Sequence, residues 1–91
     1  IDTGGSLIGA VRALRKQGAI EVYACCTHPV FSGRALKRIK ASSVKEVVVT
    51  DTIPIDPRRK PDKVTVLSMA PLLGEAIRRI HTGQSMGAMF E

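Results

Sequence analysis

The sequence predicts an α/β fold built on a largely parallel sheet. Two observations lead there. Short apolar, β-branched runs at Ile20 to Cys26, Glu46 to Thr50 and Lys63 to Leu67 read as strands, and segments of helical period alternate with them. Gly- and Pro-rich breaks separate the segments. With 91 residues there is room for one small domain or part of a larger one. Only Tyr23, Phe31 and Phe90 are aromatic, so the core is expected to be aliphatic.

The first helix is expected over residues 7–17, with Leu7, Val11 and Leu14 on one stripe, basic residues opposite, and Gly18 as its stop. Ile20 to Cys26 is nearly all apolar, as for a strand buried on both faces. A Pro- and Gly-broken loop, Thr27 to Gly33, leads to a short helix over about 34–41. Its Leu36 and Ile39 point inward and its lysines and arginines outward. Glu46 to Thr50 is the second strand. Three prolines and a charge run make residues 51–62 irregular and exposed. After the third strand, Ser68 can cap a helix with Pro71 in its first turn. Leu72, Leu73, Ala76, Ile77 and Ile80 should form that helix's buried face, and Gly83 its end. A short amphipathic tail closes the chain.

The formal net charge of +6, from 14 basic and 8 acidic residues, favours an anionic partner. The basic residues are scattered and lack the aromatic platforms of nucleic-acid modules, so nucleic acid is disfavoured. No run of about 20 apolar residues is present, which argues against a membrane span. Cys25 and Cys26 are adjacent and would point to opposite strand faces, so a mutual disulfide is not expected; small core residues in a reducing cytoplasm are. The chain opens at Ile1 without an initiator Met, which suggests processing or an absent upstream portion.

The candidate site is Asp2-Thr3-Gly4-Gly5-Ser6, directly before a helix. A helix start leaves amides unpaired and carries positive partial charge, so it attracts anions. Paired glycines allow close backbone approach, and the Thr3 and Ser6 hydroxyls add donors. Asp2 would repel a phosphate and suits a sugar hydroxyl, an ordered water or a proton transfer beside it. The same five residues also read as a plain turn and cap. His28 is expected to order its loop, with substrate or interface contact as the alternative, and His81 to be a solvated helix-end residue. Asp51 is expected to form a turn before Ile53-Pro54, with a site role second. Arg58-Arg59-Lys60 is expected to be a solvated loop.

Ile-Asp-Thr-Gly-Gly-Ser (1–6) resembles the end of the phosphoribosyl pyrophosphate (PRPP) loop of type I phosphoribosyltransferases and ribose-phosphate pyrophosphokinases. Cys-Thr-His-Pro-Val-Phe-Ser-Gly (26–33), Val-Val-Val-Thr-Asp-Thr-Ile-Pro (47–54), Glu-Ala-Ile-Arg-Arg-Ile-His (75–81) and Gln-Ser-Met (84–86) resemble the pyrophosphokinases in the same order. The resemblance implies that residues 1–91 are the carboxyl-terminal portion of a type I phosphoribosyltransferase-like domain. It implies transfer of the β,γ-diphosphoryl group of ATP to ribose 5-phosphate, giving PRPP and AMP. Asp2, Thr3, Gly4, Gly5 and Ser6 would hold ribose 5-phosphate, with Ser6 where Thr is common. Mg²⁺, the ATP pocket and the catalytic loop would belong to an upstream region, so this segment alone would be inactive. Ser85 corresponds to part of a regulatory anion site whose second serine is replaced by Gly87. A cytoplasmic homo-oligomer of dimers, commonly hexameric, is implied. The alternatives are a salvage phosphoribosyltransferase and a catalytically silent, synthetase-associated regulatory subunit.

Overall fold

A computed structural model describes all 91 residues. The element order is α1 (Gly5–Lys16), β1 (Tyr23–Cys25), α2 (Ala35–Ala41), β2 (Glu46–Thr50), β3 (Val64–Leu67), α3 (Ala70–Thr82) and a 3₁₀ turn over Gly87–Phe90. The three strands form a parallel sheet in the order β1-β2-β3. Tyr23 sits opposite Glu46, and Val47 opposite Val64. The parallel α/β class expected from the alternation is the one observed.

One face of this sheet is covered. Val47 and Val49 alternate inward along β2 and meet Val11 of α1 and Ala35, Leu36 and Ile39 of α2, with Val22, Phe31, Val44 and Val64 completing the core. All but Phe31 are aliphatic, as the composition required. Ile39, Ala35 and Val47 are fully enclosed. The opposite face is open, with Tyr23 58% and Leu67 56% exposed.

Three expectations are corrected. The first strand is shorter than Ile20 to Cys26 and is not buried on both faces. Its ladder runs from the Val22 carbonyl, which accepts from Lys45, to the Cys26 amide, which donates to Val48. Ile20 falls outside the strand, since the ladder begins only at Val22, and its side chain is exposed. Cys25 is exposed and Cys26 half-buried; both thiols are free, so only Cys26 touches the core.

The apolar stripe of α3 is also not buried. Leu72, Leu73, Ile77 and Ile80 are all exposed, and no residue of the helix is enclosed. The radius of gyration is 16.4 Å, against roughly 12 Å for a compact domain of this length. On α1, Val11 is enclosed, but Leu14 is half-exposed because the helix lies at the margin of the core.

Candidate functional site

The loop at residues 1–4 leads directly into α1. Gly4 is the N-cap, at φ 85°, a left-handed conformation that a side chain would strain. The first helical hydrogen bond runs from the Ile8 amide to the Gly4 carbonyl at 3.0 Å. The amides of Gly4, Gly5, Ser6 and Leu7 have no partner within the protein. Four free donors at a helix start are what an anion requires. A cavity of about 170 Å³ lies against them, lined by Ile1, Asp2, Thr3, Gly4, Ser6 and Leu7.

The loop's shape is imposed by the segment Phe31–Arg38. The Phe31 amide donates to the Ile1 carbonyl at 3.1 Å. The Ser32 hydroxyl donates to the Asp2 carboxylate. The Arg38 guanidinium donates to the Thr3 carbonyl at 3.0 Å. A Cβ built on Gly4 would lie 3.5 Å from the Ala35 Cα, so the loop and the start of α2 are in van der Waals contact. Four consecutive loop residues, Ile1 to Gly4, thus each meet a different residue of the second segment. Phe31 holds its place at φ 45°, unusual for a residue with a side chain, while its ring enters the core.

All five residues singled out from the sequence come together at this junction, Asp2, Thr3 and Gly4 in the loop and Gly5 and Ser6 in the first turn of α1, which starts two residues earlier than expected; all but the enclosed Gly4 are exposed. Ser85 does not line this cavity. Ser85 follows α3, where its carbonyl accepts from Arg79 at 2.8 Å. Phe31, Ser32, Ala35 and Arg38 are the residues that sequence reasoning missed. Arg38 is one of four basic residues between Arg34 and Lys40, all read as outward-facing, and nothing in the spacing sets it apart.

Two neighbouring features order the carboxyl ends of the strands. His28 Nδ1 lies 2.9 Å from Thr52 Oγ1, and the hydroxyls of Thr50 and Thr52 both donate to the Thr27 carbonyl. The loop-ordering role expected of His28 is thus visible. Asp51 does not serve a turn before Pro54. Its carboxylate accepts from the Met69 amide at 2.8 Å, tying the end of β2 to the start of α3. That amide and the Ser68 hydroxyl hold the Asp51 carboxyl below its ordinary range. In the basic run, Arg58 pairs with Asp56 at the surface, but Lys60 turns back to donate to the Val64 carbonyl at 2.8 Å.

No three His, Cys, Asp or Glu side chains are grouped so as to hold a metal ion. No cluster of protein groups alone stands ready for Mg²⁺, and no chemical step here is routed through it. No helix is long and apolar enough to cross a membrane.

The chain matches the phosphoribosyl synthetase-associated domain over residues 1–91. It belongs to that family. It is 54% identical over 90 residues to a ribose-phosphate pyrophosphokinase of Caldanaerobacter subterraneus, covering 99% of this chain and 28% of that protein. A ribose-phosphate pyrophosphokinase of Oceanobacillus iheyensis is 53% identical over 91 residues, covering 100% of this chain and 29% of that protein. The crystal structure of phosphoribosylpyrophosphate synthetase from Mycobacterium smegmatis superposes with a TM-score of 0.88 at 43% identity, covering 91% of this chain and 28% of that one. The family member described here thus spans less than a third of the length of these relatives. That share does not support the carboxyl-terminal placement expected from the sequence, and the type I phosphoribosyltransferase-like assignment is likewise not carried by it.

Proposed function

We propose that this chain is the part of a ribose-phosphate diphosphokinase that holds ribose 5-phosphate. The whole enzyme would transfer the β,γ-diphosphoryl group of ATP to the 1-hydroxyl of the sugar, giving PRPP and AMP, with Mg²⁺ held outside this chain. The supporting observation is the row of unpartnered amides at Gly4, Gly5, Ser6 and Leu7, set at the start of a helix. Thr3 and Ser6 would add hydroxyl donors, and Asp2, already accepting from Ser32, would present its free oxygen to a sugar hydroxyl. The relatives' names favour synthesis of PRPP over its use in salvage.

The tail would serve regulation. Ser85 stands beside Arg79, whose guanidinium is shared between the Ser85 carbonyl and Glu75. An anion bound there would have one serine hydroxyl where the family resemblance implies two. Assembly as a cytoplasmic homo-oligomer completes the proposal.

Gly5 gives the sharpest test. A Cβ there would meet only Arg38 Nη1 and Thr3 Oγ1, each at 3.9 Å, so a small side chain would crowd a bound phosphate without disturbing the backbone. The test uses a full-length synthetase bearing this segment, its own or the Caldanaerobacter relative with these residues grafted in. Gly5→Val should raise the KM for ribose 5-phosphate about 100-fold, with the KM for ATP little changed. An unaltered KM for the sugar phosphate would remove residues 2–6 from the substrate site. AMP formation without any nucleobase separates the synthetase from a salvage transferase, and no AMP formation at all would point to the silent subunit.

A further inference from the structure

We propose that Arg38 is a positioning residue for the phosphate loop, setting the orientation of the Thr3–Gly4 peptide and thereby the affinity for the sugar phosphate. The observation is a single long-range contact: Arg38 Nη1 donates to the Thr3 carbonyl at 3.0 Å, across 35 residues of sequence. No peptide in the chain is cis. In a trans peptide the carbonyl and the following N–H point in opposite directions. Holding the Thr3 carbonyl toward α2 therefore turns the Gly4 amide away from it, as one of the four unpartnered donors.

Gly4 makes such a restraint necessary. As a glycine at positive φ it has neighbouring backbone states open to it, and a rotation of the peptide before it would present a carbonyl oxygen where an amide is needed. A carbonyl facing a phosphate would repel it. The Ala35 contact limits where Gly4 can move but places no hydrogen bond on this peptide. Arg38 supplies that bond.

The charge of Arg38 adds to the effect. Its guanidinium has no carboxylate within ion-pairing distance, whereas Arg58, Arg78 and Arg79 are all paired. An unneutralised cation, 3.9 Å from where a Gly5 side chain would begin, raises the local potential for an anion. Arg12 provides the contrast. It lines the same cavity of about 260 Å³ between α1 and α2 as Arg38, yet makes no hydrogen bond to the loop. Arg12 is therefore the control for a cation of the same cavity that lacks the contact with the Thr3 carbonyl.

The test is a set of variants in the full-length synthetase described above, read as separate KM values for ribose 5-phosphate and ATP, with thermal unfolding alongside. Arg38→Met should raise the KM for ribose 5-phosphate about tenfold or more, the loss expected for a charge-assisted hydrogen bond. The KM for ATP should stay within about twofold. Arg38→Lys should recover part of the loss, because an ammonium can reach the carbonyl without the planar fork. Arg12→Met should leave both constants unchanged. If Arg38→Met fails to fold, Arg38→Lys decides alone: a KM for ribose 5-phosphate raised with ATP unaffected supports the proposal, and any other pattern overturns it. Wild-type KM in Arg38→Met, an equal rise for both substrates, or equal effects of the Arg12 and Arg38 variants would also overturn it. Because the assignment of residues 2–6 to the sugar phosphate underlies the proposal, Gly5→Val is measured in parallel. A large effect of Gly5→Val beside none of Arg38→Met sinks the positioning role alone. No effect of either sinks the loop assignment itself.

Discussion

Helices α1 and α3 carry the same kind of apolar stripe, yet they end in opposite surroundings. Val11 of α1 is 1% exposed, while Ile77 and Ile80 of α3 are each 68% exposed. An amphipathic stripe states that a helix has a face to bury; it does not state that the burying surface lies within the same 91 residues. The helix α1 meets α2 and the covered face of the sheet, and its start becomes a shaped loop. The helix α3 is tied to the sheet only at its start, where the Met69 amide donates to Asp51; its other end bonds its own tail, Arg79 to the Ser85 carbonyl, and no core lies beneath it.

The largest effect should come from the enclosed half. Ile39 is fully buried between α2 and the sheet. Ile39→Ala should cost about 2–5 kcal/mol of unfolding free energy, the range for truncating a buried aliphatic side chain. Urea denaturation of this chain would measure it, and a loss comparable to that of a surface change would break the contrast between the halves.

The open half should respond far less. Ile77→Glu in the 91-residue chain should change stability by no more than about 0.5 kcal/mol, as for a surface site. The same substitution in the full-length synthetase sharpens the comparison. A loss of more than about 2 kcal/mol there would show that the stripe of α3 is covered by protein beyond this chain.

The smallest effect concerns acid. The Arg78 guanidinium, with Arg79 adding to it, holds the Glu75 carboxyl down to about 2. A depressed carboxyl contributes stability that is present above its unfolded value near 4.5 and is lost as pH falls toward about 2. These groups face solvent, so the contribution is small and weakened by salt. The helical signal of α3, followed by NMR, should decline between those pH values. Glu75→Gln should remove that part of the acid dependence, and an unchanged profile would show that the ion pairs do not hold the helix.

Much of the molecule was legible before its structure. The strand at Glu46–Thr50 matches the expected bounds because its β-branched run has no competing period, and the helix ends near Gly18 and Gly83 follow from glycines at positive φ. Ile20 misled because an apolar run gives no notice of where cross-strand pairing will start, which here is at Val22. Asp51 misled for a similar reason: local turn chemistry competed with a helix start 18 residues away, and the distant amide won.

The sequence by itself determined the parallel α/β order, the aliphatic core and the placement of a glycine-rich loop before a helix. Those features depend on period, propensity and neighbours along the chain. Tertiary structure alone decided which residues shape that loop and which apolar stripe finds cover. The contacts from Phe31, Ser32, Ala35 and Arg38 to residues 1–4 span about 30 residues of chain, and no local pattern encodes a partner at that distance.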